Sequence, residues 1–229
     1  MVPDHTQRIS KKLVSAIIFD VDGVLLDTVS FHFRAWQKAF AQENIIFEKS
    51  DYKKINGISR DTGVQIILQT NNTDRIRNVG DRKQSYYLDL LAKTPPKPLP
   101  GVLSFLLEAR KMGWRMAAAS SSKNALSVLT AAHLMEYFDI VITGNDFKKP
   151  KPDPDIFLIA AAGLGAAPAL TAVVEDAVNG VIAAVAGGFY CVAVANSESS
   201  DDLDAAGASV VISATTELSL DLFRNLNSA

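Results

Sequence analysis

Cysteine is almost missing from this chain. Cys191 stands alone among 229 residues, which excludes a disulfide framework. Its setting in the apolar stretch "FYCVAVA" marks it as a small buried hydrophobe. A strong charge of either sign is also missing: the formal net charge is −2, which argues against nucleic acid as the partner. The longest apolar stretch, 158–174, is rich in Ala and Gly and is interrupted by Pro168, unlike a membrane span. The opening residues "MVPDHTQRISKK" lack the apolar core of a secretory signal, and no repeat or low-complexity tract follows. What remains is an ordinary globular composition, 48% apolar and 21% charged, expected to be soluble and cytoplasmic.

Short, continuous apolar runs recur along the chain: "VSAIIF" (14–19), "WRMAAAS" (114–120), "DIVITG" (139–144), "TAVVED" (171–176), "YCVAVA" (190–195) and "ASVVIS" (208–213). Such runs suit strands buried on both faces. Helical spacing lies between them. "GVLSFLLEARKMG" (101–113) closes at Gly113, a C-cap position, and "DPDIFLIAAAGLG" (153–165) opens with Asp153 as N-cap and Pro154 as first helical residue. Strands alternating with helices imply a parallel sheet covered on both faces.

The region from 29 to 93 breaks that rhythm. "SFHFRAWQKAFAQ", "SRDTGVQIILQTN" and "RKQSYYLDLLA" read as three helices with no strand among them, and the Pro-rich "KTPPKPLPG" (93–101) reads as a hinge or linker. The expected architecture is therefore α/β: a parallel sheet covered on both faces, with an all-helical cap inserted after its first strand. The core is discontinuous, 1–28 with 100–229, and the cap spans 29–99.

Ligands of open α/β sheets bind beyond the carboxyl ends of the strands, and polar groups gather there. Asp20 and Asp22 follow the first run, Ser120, Ser121 and Ser122 the second, and Glu175 and Asp176 close "TAVVED". Lys151 lies in the loop "KKPKPDPD" after "DIVITG". Crowded carboxylates repel each other and resist burial, so a cation is expected among them. Magnesium prefers oxygen ligands and shares them with substrate phosphate. Asp20 then suits a nucleophile toward phosphorus and Asp22 a general acid/base, while Gly23 lets the chain turn beside the site. "SSSKN" sets hydroxyls and free N–H groups at a helix start, which suits a phosphate, and Lys151 supplies fixed positive charge. Each element has a structural alternative: a surface D-x-D turn, an N-cap, a solvated Lys-Pro loop, capping acids.

The sequence resembles the haloacid dehalogenase superfamily. "DVDGVLLDT" resembles its first motif, Ser120 its second, Lys151 its third and "VVEDAVNG" its fourth, in order and at suitable spacing. The resemblance implies a Rossmann-like, doubly wound parallel sheet core with the helical cap inserted just after the first motif, and Asp20 as nucleophile and Asp22 as acid/base. It also implies magnesium held by Asp20, the backbone carbonyl of Asp22, and Asp176, with Glu175 as a ligand or the neighbour of one. An aspartate at 22 favours phosphoryl transfer over dehalogenation.

Within the superfamily "FHFRAWQKAF", "INGISRDTGVQIIL", "SSSKNA" and "KPKPDPDIF" resemble the β-phosphoglucomutase-like subfamily. That resemblance makes Thr28 a hinge position and His32 a hinge and acid/base partner of Asp22. His32, Trp36 and Phe40 share one helix face, Trp36 toward the substrate and Phe40 in the cap core. Arg60 would bind the non-transferring phosphate, with Gly57 in the cap specificity loop. Lys83, Ser121, Ser122, Lys123 and Asn124 match further substrate-contact positions. The chain departs from the subfamily at Asn56, where a basic residue is usual, and at Gly63, where a small hydroxyl residue is usual; both changes weaken expected cap contacts. The implied substrate is a phosphorylated sugar and the implied unit a monomer. A phosphatase of the same fold shares every core residue and stands as the alternative.

Overall fold

The computed structural model describes residues 14–226; the uninterpreted segment before Val14 lies outside the described residues. Strand β1 (Ala16–Phe19) is followed by four helices, α1 (Val29–Ala41), α2 (Lys49–Ile55), α3 (Arg60–Leu68) and α4 (Thr73–Lys93). The chain then alternates through α5 (Val102–Lys111), β2 (Arg115–Ala119), α6 (Ala125–Ala131), β3 (Ile140–Ile142), α7 (Asp155–Gly163) and β4 (Thr171–Glu175). It continues through α8 (Val178–Ala186), β5 (Tyr190–Val194), α9 (Ser200–Ala205), β6 (Val210–Ile212) and α10 (Leu220–Asn225).

The six strands form one sheet in the order β3-β2-β1-β4-β5-β6, and every pairing is parallel. β1 is central, paired with β2 on one side and β4 on the other, which is why "AIIF" is apolar without alternation. Ile17 and Phe19 face one layer, packed with Phe105 and Leu106 of α5 and Phe223 of α10. Ala16 and Ile18 face the other, packed with Ile156 and Phe157 of α7 and Val181 of α8. The sheet order reverses direction at β1, so the crevice beyond β1, β2 and β4 is where such a fold binds ligands.

Helices α1 to α4 have an apolar cluster of their own, with Trp36, Phe40, Phe47, Ile55, Val64, Ile76 and Val79 buried together. Phe40 stacks on Trp36 at 5.2 Å between ring centroids and on Phe47 at 5.0 Å.

Two details correct the sequence expectations. The insert holds four helices rather than three, because "KSDYKKI" forms α2, and α4 begins well before "RKQSYYLDLLA". Pro154 is the N-cap of α7, and Asp153 instead accepts a bond from the Asp155 N–H at 3.2 Å. At the Pro-rich linker, Asp27 N donates to Lys97 O and Leu99 N to Leu25 O, both at 3.0 Å, so the chain segments leaving and re-entering the sheet layer are paired. Gly113 follows α5 with φ +75°, the left-handed turn expected of a helix stop, and Cys191 is buried in β5. Among the described residues no helix is long and apolar enough to cross a membrane.

Candidate active site

Asp20 leaves the tip of β1 and Glu175 and Asp176 leave the tip of β4, so two adjacent strands deliver three buried carboxylates. One oxygen from each lies within 4.8 Å of the others. Lys151, also buried, reaches in from the loop after β3. Its Nζ donates to Asp20 Oδ1 at 2.6 Å and to Glu175 Oε2 at 2.8 Å. Three carboxylates face one ammonium. Burial and the neighbouring Glu175 push Asp20 up to about 8 against the pull of Lys151, and burial with Glu175 holds Asp176 well above the usual carboxylate range. Burial works against the Lys151 charge, but Asp20 and Glu175 outweigh it and keep the ammonium. The excess negative charge belongs to the cluster as a unit, and a proton or a bound cation relieves it. An all-oxygen donor set with no His or Cys suits a hard divalent ion such as magnesium.

The surrounding packing leaves no slack. A Cβ at Gly23 (φ +86°) would overlap the Asp176 carboxylate, and one at Gly180 would overlap that of Glu175. Both positions require glycine so that backbone can lie against the acids.

Asp22 is turned away from this cluster. Its Oδ1 accepts from the Thr28 hydroxyl at 2.5 Å and from His32 Nε2 at 3.0 Å, and its Oδ2 accepts from Ser120 Oγ at 3.3 Å. Burial opposes its charge, yet His32, Thr28 and Lys83 together hold it well below the usual carboxylate range. Lys83 Nζ lies 2.7 Å from His32 Nδ1. With Lys83 donating, Nδ1 accepts and Nε2–H faces Asp22, which is the neutral imidazole. Burial and then the Lys83 charge lower His32 below its ordinary value, consistent with that form, and burial brings Lys83 itself down to about 7. Tyr87 supports the His32 ring from below at 4.2 Å between centroids.

The cleft between the sheet and the insert measures about 220 Å³. Of the expected site residues, its walls include Asp20, Asp22, His32, Trp36, Gly57 and Arg60, with Lys83, Ser120, Ser121, Ser122, Lys123 and Asp176. Four do not reach it. Thr28 is buried behind Asp22, and Lys151 and Glu175 sit behind Asp20. Asn124 spends its amide on Gln84 of α4, in a reciprocal pair at 2.7 and 3.1 Å. The Gly63 departure touches no ligand wall: a Cβ there would meet Ile55 and Trp36 at 3.5 Å, inside the insert's own core. Asn56 does line the cleft, with its Nδ2 buried and unpartnered. Arg60 is held by Asp61 at 3.3 Å and Asp81 at 3.5 Å.

Sequence reasoning does not find Tyr52, Gln84 and Lys148 on these walls. They lie on helix surfaces or in a charged loop, where only packing reveals a role. The insert closes on the sheet layer through further bonds it also misses: Ser121 Oγ to Gly57 O at 2.9 Å and Asn179 Nδ2 to Asn56 O at 3.0 Å.

The titration of the cluster has a consequence for stability. Asp20 and Asp176 have folded values raised above their unfolded ones, so their contribution is greatest below about pH 4 and is lost as pH rises toward the folded values. Magnesium should stabilise more at pH 8 than at pH 5, read by differential scanning calorimetry at both pH values. Parallel curves with and without the ion would contradict the cluster as its site.

A family model described as haloacid dehalogenase-like hydrolase matches residues 14–188. β-Phosphoglucomutase of Bacillus subtilis is 34% identical over 216 residues, 91% of this chain and 93% of that protein. Fructose-1-phosphate phosphatase of Escherichia coli is 31% identical over 184 residues, 79% of this chain and 96% of that protein. The crystal structure of β-phosphoglucomutase from Clostridium difficile superposes with a TM-score of 0.85 at 28% identity, covering 94% of this chain and 98% of that one.

Proposed function

This chain belongs to the haloacid dehalogenase-like hydrolase family, and on that footing we propose that it is a magnesium-dependent phosphotransferase for sugar phosphates, working as a β-phosphoglucomutase. It is an enzyme of that family. The observation that supports the finer reading is the cap pair "FHFRAW" and "GISRD" added to the four core motifs, with His32 of the insert bonded directly to the candidate acid/base Asp22.

In this reading residues 29–99 act as a cap on the remaining core. Asp20 attacks the phosphorus of the donor. The bond from phosphorus to the sugar oxygen breaks, that oxygen takes back from Asp22 the proton left there by a preceding transfer from phospho-Asp20 to a sugar hydroxyl, and the phosphoryl group rests on Asp20. A sugar hydroxyl then attacks the aspartyl phosphate, its proton passes to Asp22, and Asp20 is released. Asp22 held as a carboxylate by Thr28 and His32 is in the form needed to accept that proton. A magnesium ion held by Asp20, Asp176 and the Asp22 carbonyl, with Glu175 beside it, would supply positive charge toward the phosphoryl oxygens. Lys151 keeps Asp20 oriented from behind.

Arg60 and Lys123 line the cleft, and Arg60, held by Asp61 and Asp81, is the proposed holder of a second, non-transferring phosphate. Trp36, Gly57, Ser121 and Ser122 form the wall between, while Thr28 and Asn124 act through Asp22 and Gln84. About 220 Å³, below the roughly 300–1,000 Å³ usual for small-molecule pockets, suits a metabolite of monosaccharide size. The proposed working unit is a monomer.

The specific support for the phosphatase alternative is Asn56, an uncharged residue in the cleft wall, together with the phosphatase relative. A phosphorus-31 NMR time course separates the two. With magnesium, β-glucose 1-phosphate and a catalytic amount of the glucose bisphosphate, the expected product is glucose 6-phosphate with little inorganic phosphate. Inorganic phosphate as the main product would replace the mutase by the phosphatase.

A further inference from the structure

Beyond β5 the chain passes through Asn196, Ser197 and Glu198, and each side chain reaches a different part of the site. Asn196 Nδ2 donates to the carbonyl of Gly23, beside the nucleophile's loop, at 2.9 Å. The Ser197 hydroxyl donates to Asp176 Oδ2. Glu198 forms an ion pair with Lys53 of α2 at 3.5 Å, its own side chain 4% exposed and that of Lys53 53%. Lys53 also meets Asp202 of α9 at 3.3 Å. Three consecutive residues thus touch the catalytic loop, the acidic cluster and the helical insert.

The physics of each contact gives the turn a role. Asp176 Oδ2 lies between the Ser197 hydroxyl and the backbone of Gly23, where a Cβ would overlap it. With that oxygen held, the carboxylate cannot rotate freely, and a hydroxyl donor also favours its charged form. Glu198 is a buried carboxylate whose cation comes from the insert. Drawing α2 away would leave that charge without its partner, which is costly for a buried acid. Because Glu198 is bonded directly to Ser197, the contact with α2 and the contact with Asp176 share almost the same backbone.

We propose that the Asn196–Glu198 turn is a positioning element that ties the seating of the helical insert to the orientation of Asp176. Lys53 and Glu198 hold the turn when α2 is seated, and Ser197 then fixes Asp176. Ser197 does not line the cleft, so it acts through Asp176 and is a positioning residue. The inference rests on Asp176 belonging to the cation site.

The test is magnesium binding by calorimetry on the full chain without substrate, for wild type, Ser197→Ala, Ser197→Thr and Lys53→Met. Loss of the hydroxyl should weaken binding roughly ten-fold, the lower end for partners of metal-binding side chains. Ser197→Thr, which restores a hydroxyl, should recover most of it, and Lys53→Met should show a smaller loss in the same direction. Unchanged affinity in Ser197→Ala, no recovery in Ser197→Thr, or unchanged affinity in Lys53→Met overturns the proposal. If wild type itself takes up no magnesium, the cation reading falls and the inference with it. Tight wild-type binding with unaffected variants leaves the cation reading standing and removes only the inference.

Discussion

Asp20→Asn lowers kcat on a sugar phosphate by at least about 10⁴-fold, the scale expected when a nucleophile is lost, while the protein stays folded. An amide has the shape of the carboxylate but not its negative charge, and its oxygen is too weak a nucleophile for the covalent intermediate to form. Structure is spared for two reasons. The amide oxygen can still accept from Lys151, which bonds Asp20 Oδ1 at 2.6 Å in the wild type, and the single bond forfeited is the one Oδ2 accepts from Asp22 N at 3.0 Å. One of three crowded carboxylates is also gone, and with it the burial cost and the repulsion from Glu175 that push Asp20 up to about 8. The melting temperature in chelator is therefore expected to match or exceed that of wild type at pH 8. Turnover within about ten-fold of wild type would assign the attack to another group.

Asp22→Asn is the second large effect. A positioned acid/base contributes about 10²–10⁴-fold, and turnover of a sugar phosphate should fall by about that much. Transfer from acetyl phosphate to Asp20 should fall far less, because its leaving group departs without a proton. The contrast matters because Asp22 also anchors Thr28, His32 and Ser120, and a variant that only disturbed those contacts would slow both donors alike. Equal losses on the two donors would make Asp22 a positioning residue.

Where a residue's role follows from its place at a strand end, sequence reveals it. Asp20, Ser120, Glu175 and Asp176 stand at the tips of three adjacent parallel strands, and the apolar runs that predict those strands also place the acids. Helix α2 escapes the pattern because "KSDYKKI" is short and polar. It buries only Ile55, and its start rests on the Glu48 N–H donating to Asp51 Oδ2 at 3.2 Å. Gln84 escapes for another reason: it looks like any polar residue on a long helix, and its pairing with Asn124 exists only because α4 lies over the start of α6. Asn196, Ser197 and Glu198 do follow a strand. Yet Asn and Ser are common turn formers, and only the folded packing shows that their side chains point back to Gly23, Asp176 and Lys53.

The most direct test of the central claim is to capture the covalent intermediate. The enzyme is mixed with magnesium and acetyl phosphate, quenched in acid, reduced with borohydride and mapped by peptide mass spectrometry. Reduction converts an aspartyl phosphate to homoserine, so homoserine at position 20, and at no other aspartate, is the expected result. Donor consumption with Asp20 unmodified, or the mark on a different aspartate, would contradict phosphoryl transfer through Asp20.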